Sequence, residues 1–307
     1  MARELKHAYL IMAHSNWEQL VKLVNLLDDN QNDIFLHIDK KKLSSFSSFF
    51  AKMEGIKTKH SKVTLIDSVD VRWGHVSQVE AELNLFEKAS KNPHAYYHLI
   101  SGSDFPLHSQ VYIHQFFDRY QGKEFIGLCK EWDVVDKVYC HNFFMRYQRN
   151  KSKFVRYVFQ QMRKKMNALQ RLLGVGKSRS QYIFGKGPNW VSVTHGFVCD
   201  LLSKKEELLS IYKASCNPDE IYKQTFALNS KYKESLFDSE DEYKGCMREI
   251  DWLRGSPYTW RIADYNFLAS SEKLFARKFD SFVDNEIIDK LENKIREEEI
   301  RLLSREG

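Results

Sequence analysis

Cations set among large apolar residues mark the last third of this chain. The run Leu274-Phe275-Ala276-Arg277-Lys278-Phe279-Asp280 reads as a strand that draws its side chains inward, where a Lys without a counter-charge is costly or loses its proton. No metal-ligand cluster lies nearby in the sequence, so Arg254, Arg261 and Lys278 read as a pocket that neutralises a phosphate-bearing ligand. The bland alternative is a surface strand with solvated basic residues. A second constellation is Asn217-Pro218-Asp219-Glu220, in which Pro fixes a helix start and places two carboxylates in the first turn. Either both are dipole partners only, or Glu220 is a general base within reach of a hydroxyl.

Ligands of open α/β sheets bind beyond the carboxyl ends of the strands, which directs attention to His14, to His37 with Asp39, and to Ser101-Gly102-Ser103-Asp104. No glycine-rich phosphate loop follows the first strand, because His14-Ser15-Asn16-Trp17 stands in its place, and this argues against a G-x-G-x-x-G dinucleotide fold. Asp39 either accepts from a base or ribose or caps a helix over 40–50. Val71-Arg72-Trp73-Gly74-His75 offers a close backbone approach at Gly74, and Trp73 is either a stacking face or a structural residue. Asp104 is aimed at the sheet's active edge or only caps a turn.

These residues need a scaffold, and the pattern supplies one. Short apolar runs alternate with helical periodicity, predicting strands over 8–13, 34–38, 63–66, 96–100, 125–128, 190–193 and 274–279. Helices are predicted after the first strand, with Trp17, Leu20, Val21, Val24 and Leu27 inward, and over 76–89, 111–120, 195–208, 218–228, 262–271 and 287–303. The fold class is therefore α/β with a mostly parallel central sheet flanked by helices. Residues 1–307 read as one domain, whose second half, from about 129, completes the first rather than standing apart.

The formal charge of +6 is spread, apart from Lys40-Lys41-Lys42 and the run from Arg146 to Arg171, so nucleic acid is not the expected partner. That run interleaves Phe154, Val155, Val158, Met162, Met166 and Leu169 with cations and predicts a basic amphipathic helix. It is either packed by its apolar face or set against an anionic membrane surface in peripheral contact. Five cysteines without C-x-x-C spacing signal neither a disulfide framework nor zinc, and no long apolar run or leader pattern is present, so the expectation is a cytoplasmic protein without its own anchor.

The ordered set His7-Ala8-Tyr9-Leu10-Ile11-Met12-Ala13-His14, Leu36-His37-Ile38-Asp39, Val71-Arg72-Trp73-Gly74, Ser101-Gly102-Ser103-Asp104-Phe105-Pro106-Leu107, Gly187-Pro188-Asn189-Trp190, Asn217-Pro218-Asp219-Glu220 and Phe275-Ala276-Arg277-Lys278-Phe279-Asp280 resembles the core-2/I-branching N-acetylglucosaminyltransferase and peptide O-xylosyltransferase family. The resemblance implies a GT-A-like, Rossmann-like fold and an inverting transfer from a UDP-sugar, GlcNAc first and xylose as rival, to a glycan or lipid-linked oligosaccharide. It implies Glu220 as base, Lys278 with Arg254 or Arg261 on the diphosphate, and His14, Asp39, Arg72 and Trp73 on the nucleotide side. Asp104, Trp190 and Asp219 fall on the sugar and acceptor side. Neither metal nor other cofactor is implied; the nearest acidic group, Glu240-Asp241-Glu242, lies in a polar loop. A microbial enzyme making a surface glycan is the expectation, with a non-catalytic glycan- or nucleotide-binding module as the reading from another class.

Overall fold

A strand that is apolar along its whole length must be covered on both faces, and His7–Ala13 (β1) takes the centre of the sheet for that reason. The computed structural model describes residues 5–52, 56–133, 135–175 and 181–306. In chain order its regular elements are β1, α1 (Trp17–Leu26), β2 (Asn32–Ile38), α2 (Leu43–Lys52), β3 (Lys62–Leu65), α3 (Ser77–Ala89), β4 (Tyr96–Ser101), β5 (Asp104–Pro106), α4 (Gln110–Arg119) and α5 (Lys153–Leu172). There follow β6 (Ser192–Thr194), α6 (His195–Ser203), α7 (Lys205–Tyr212), α8 (Tyr222–Leu228), α9 (Glu242–Cys246), β7 (Arg248–Ile250), α10 (Tyr265–Ala269), β8 (Phe275–Arg277) and α11 (Glu286–Glu306).

The main sheet runs β3-β2-β1-β4-β6, parallel except for β6, and is flanked by helices as the fold class requires. Alternation on β1 feeds two cores: Tyr9 and Ile11 join Leu20, Leu23 and Leu291 on one face, while Ala8 and Leu10 join Leu83, Phe86 and Leu201 on the other. A small second sheet, β5-β8-β7, continues from the end of β4 through the turn at Gly102-Ser103. Among the described residues no helix is long and apolar enough to cross a membrane.

Several elements differ from expectation for local physical reasons. The strand over 125–128 reduces to single bridges at Glu124 and Phe125, because the backbone at Gly127 packs against that of Gly187 too closely for a ladder; a Cβ on Gly187 would stand 1.9 Å from the Gly127 carbonyl oxygen. The strand over 190–193 forms at 192–194, and that over 274–279 spans three residues. Helix 195–208 divides at Lys204 and helix 218–228 at Ile221, whose φ of −127° leaves a 3-10 turn, Pro218–Glu220, before α8. Helix 262–271 likewise begins as a 3-10 turn, Ile262–Asp264.

The largest departure is α5. It starts at Lys153 under a Ser152 cap; on its inward side Phe159 stacks on Tyr147, while the buried residues are polar, Asn167 and Gln170, with Gln170 bonded to both backbone groups of His141. Phe154, Leu169 and Leu172 instead face outward. Packing by the apolar face, one of the two readings of this run, does not form, because Gln170 meets both backbone groups of His141 and Asn167 meets the Asn142 side-chain oxygen.

Beneath the sheet lies a chain of buried rings. His7 Nδ1 is 2.8 Å from His98 Nε2, and His98 Nδ1 is 2.9 Å from Ser192 Oγ. Burial, reinforced by neighbouring imidazoles, holds both histidines well below their ordinary pKa. The unfolded chain takes up protons below about pH 6.5 whereas the folded state does not, so stability is full above that pH and falls as pH drops through it, by up to about 1.4 kcal/mol per pH unit for each ring. Urea unfolding at pH 7.5 and 5 should show this loss, and replacing His7 and His98 together by Gln should flatten it; an unchanged slope in that variant assigns the acid sensitivity elsewhere.

Candidate active site

The Pro218–Glu220 turn is set by its cap. Asn217 adopts φ 52°, a left-handed conformation that Asn tolerates, and donates its backbone N–H to the Gly74 carbonyl at 3.0 Å. Gly74 has φ +69°, and a Cβ there would meet Asn217 Oδ1 at 2.8 Å, so this contact requires glycine. The Val71–His75 loop carrying Trp73 is thereby tied to the turn carrying Glu220.

The Glu220 side chain is 27% exposed, with Oε2 3.4 Å from Lys186 Nζ and 3.9 Å from Lys137 Nζ. Its Oε1 has only a 3.5 Å contact from Asn217 Nδ2. The Glu220 carbonyl accepts from Gly187 N–H at 2.9 Å, joining the turn to the Gly187–Trp190 segment. Asp219, expected on the sugar side, points into the protein: Oδ2 accepts from Gln78 Nε2 at 2.9 Å and Oδ1 is buried without a partner. Burial first, then the carboxylates of Glu220 and Glu82, push its pKa up to about 8. Lys223 lies beneath, fully buried, donating to Glu82 at 2.6 Å, to Asn189 Oδ1 at 2.6 Å and to the Asp219 carbonyl at 3.0 Å.

The second group of residues gathers at the carboxyl ends of β1, β2 and β8. The edge of the His14 ring is open to solvent, yet the protein crowded around it lowers its pKa; Arg277, Lys278 and Lys42 add to that and Asp39 opposes it. Asp39 caps the turn after β2, with Oδ1 3.0 Å from Lys41 N, and is ion-paired with Lys41. His37 is structural, accepting from Val69 N–H at 3.0 Å, and burial lowers it to about 4. Arg72 is paired with Asp70 at 2.7 Å, while Trp73 lies under the Arg149 guanidinium at 4.1 Å.

Arg254 and Arg261 are told apart here. Arg254 is held by Asp251 and by Asp264 at 2.7 Å and stacks 4.0 Å over Tyr258, so its charge is already met. Among the described residues, Arg261 and Lys278 have no ion-pair partner. They stand close in space, since the backbone of Trp260 bonds to the Lys278 carbonyl at 2.9 Å. Asp104 is buried and ion-paired with Arg277 at 2.7 Å, and Arg277 stacks 4.7 Å over half-buried Trp190. No group of three or more His, Cys, Asp or Glu side chains among the described residues could hold a metal ion.

Sequence reasoning overlooked Arg277, Glu82, Lys223, Lys137 and Lys186 as parts of the site. Glu82 and Lys223 left a readable trace: each interrupts the apolar phase of its helix, Ala81-Glu82-Leu83 and Tyr222-Lys223, where a buried charge demands a partner.

A profile of the Core-2/I-Branching enzyme family matches residues 7–267. The chain belongs to that family. Among curated proteins it is similar to beta-1,3-galactosyl-O-glycosyl-glycoprotein beta-1,6-N-acetylglucosaminyltransferase 4 of Danio rerio, at 23% identity over 96% of this chain and 70% of that protein. Among solved structures, apo mouse xyloside xylosyltransferase 1 overlays loosely, with a TM-score of 0.35 and 13% identity over 88% of this chain and 96% of that one. This Core-2/I-Branching enzyme is therefore a glycosyltransferase, a catalyst that moves a sugar from a nucleotide-sugar donor to a glycan acceptor and releases the nucleotide.

The protonation of Asp219 has a measurable consequence. Its folded pKa lies above the unfolded value of about 3.9, so the folded state holds an extra proton, and stability declines as pH rises from that value through about 8. Asp219→Asn, which keeps the shape without the charge, should raise the melting temperature at pH 9 and change it little at pH 4. An equal shift at both pH values would mean that Asp219 is ionised in the folded protein throughout.

Proposed function

We propose that the enzyme transfers GlcNAc from UDP-GlcNAc, with inversion, to a hydroxyl of a glycan acceptor, using Glu220 as base and Lys278 with Arg261 on the diphosphate in place of a metal. The observation that carries this reading is the pair of cations, Arg261 and Lys278, that lack an ion-pair partner among the described residues, with Lys278 near enough to His14 at the end of β1 to lower its pKa, where a sugar nucleotide meets an open α/β sheet. The acceptor oxygen forms its bond to the anomeric carbon as the bond to the UDP oxygen breaks, and the electron pair leaves with the diphosphate. Oε2 of Glu220 faces the two lysines, which leaves Oε1 to take the acceptor proton. The negative charge growing on the leaving group is met by Lys278 as a point charge and by Arg261 as a fork. The name of the Danio rerio relative favours GlcNAc over xylose.

The acceptor side supports a negatively charged acceptor. A cavity of about 330 Å³ beside the Gly74–Asn217 contact is lined by Trp73, Phe144, Arg149, Arg156, Phe159 and Arg163. Among the described residues none of these three arginines is ion-paired to a carboxylate, and rings beside guanidinium groups suit a sugar that carries phosphate, as in a lipid-linked oligosaccharide. The five cysteines are all free, which fits work in the reducing cytoplasm on a growing polysaccharide.

Glu220→Gln should bind UDP-GlcNAc with unchanged affinity by calorimetry and lose transfer; turnover near the wild-type rate would move the base elsewhere. Transfer should persist in excess EDTA, and Lys278→Ala should lower turnover by about 10²–10³ with no rescue by Mn²⁺. Activity abolished by EDTA and restored by Mn²⁺ would overturn the role given to the cations.

A further inference from the structure

Between Asp136 and Asp200 the chain contains no Asp or Glu, and thirteen of its residues there are Lys or Arg. With a net charge of +6 overall, the remainder of the protein is net acidic, so the positive charge is segregated rather than merely abundant. α5 lies inside this acid-free stretch. Its inward face is anchored by Asn167 and Gln170, and it leaves outward a stripe of Phe154, Val158, Met162, Leu169 and Leu172 at spacings of four, four, seven and three residues. Phe154 is 75% exposed, Leu169 55% and Leu172 82%, and Leu173 beyond the helix is 66% exposed. Apolar side chains set out in a row on a helix whose polar side faces the protein are not explained by folding, since burial of the opposite face would have been the more stable choice.

We propose that α5 docks the enzyme on an anionic lipid bilayer. The stripe enters the boundary between headgroups and acyl chains, and Lys151, Lys153, Lys164 and Lys165, all exposed and without ion-pair partners among the described residues, meet the lipid phosphates. A second copy of the chain would bring an equally cationic helix against this one, and a soluble acidic protein would leave the aliphatic stripe without acyl chains to enter. Charge complementarity with the apolar row selects a membrane. Arg156 and Arg163 lie on the opposite, pocket side of the same helix, one helix diameter or about 10 Å from the stripe, where the phosphate of an acceptor anchored in that bilayer can reach the cavity. Docking itself rests on the helix alone and does not depend on which sugar is transferred.

Flotation with vesicles of phosphatidylcholine alone, and with vesicles that also contain phosphatidylglycerol, tests the proposal on the full chain. The protein should float with the anionic vesicles and stay behind with the neutral ones. Lys164→Glu with Lys165→Glu, and separately Phe154→Ser with Leu172→Ser, should each lower partitioning by more than about tenfold. Because these side chains are exposed, melting temperature and UDP-GlcNAc affinity should remain as in the wild type, so a loss of partitioning cannot be a loss of folding or of the donor site. Equal flotation with both vesicle types, or partitioning that neither variant changes, would overturn the proposal. So would a dimer in light scattering that Phe154→Ser with Leu172→Ser dissociates, which would assign the stripe to a second copy.

Discussion

The placement of the candidate base rests on one buried ion pair. Lys223 and Glu82 meet at 2.6 Å with both side chains excluded from solvent, and taking two such ions out of water costs several kcal/mol each. That cost is offset only when every proton and lone pair is used. Lys223 has three protons and donates them to Glu82, Asn189 and the Asp219 carbonyl; Glu82 also accepts from Asn189 and from the Tyr222 hydroxyl. An interior of apolar residues would give comparable stability, but it would not fix three chain segments in one register. Here α3, the Gly187–Trp190 segment and the turn ending in Glu220 share a single polar knot, and removal of one ion would strand the other at about 3–5 kcal/mol.

From that knot the two halves of the site are reached through neighbouring residues of one segment. Gly187 bonds the Glu220 carbonyl, Asn189 enters the ion pair, and Trp190 lies under Arg277, which in turn neutralises Asp104. Arg277 and Lys278 are adjacent in sequence yet differ in kind: the first is ion-paired to buried Asp104, and the next has no ion-pair partner among the described residues. Arg254 and Arg261 divide in the same way. What separates these cations is whether a carboxylate stands beside them, a property of three-dimensional neighbours that residue type alone does not carry.

The parallel strands were legible because full burial writes continuous apolar runs, as in Tyr9-Leu10-Ile11 and Leu99-Ile100. Glu220, Lys278, His14 and Asp39 were legible as candidates because motif and strand-end position single them out. Of the three-residue strands of the second sheet only β8 was read, and as too long, while β5 and β7 went unseen, since a period of two cannot be read from three residues. Nor were the partners of Glu220 legible: Lys137 and Lys186 lie 83 and 34 positions away from it, and only the folded chain brings them within 4 Å. α5 was legible as a helix but not in its orientation. Its periodicity marked an apolar face correctly, but periodicity reports that two faces differ, not which one turns inward.

That inversion links the shape of the site to its surroundings. The residues of α5 that line the cavity, Arg156, Phe159 and Arg163, are held in place because Asn167 and Gln170 fasten the next turns of the helix to residues 141–142, with Arg163 itself 3.2 Å from Asn142. An ordinary amphipathic helix packed by Phe154, Met162 and Leu169 would turn Arg156 and Arg163 to solvent and leave the cavity without its cationic wall. The polar anchoring that builds the cavity wall therefore necessarily turns the aliphatic residues outward. Positive charge is concentrated in the same stretch of chain, so one choice of helix rotation sets both the cationic wall of the cavity and the exposed apolar stripe beside it.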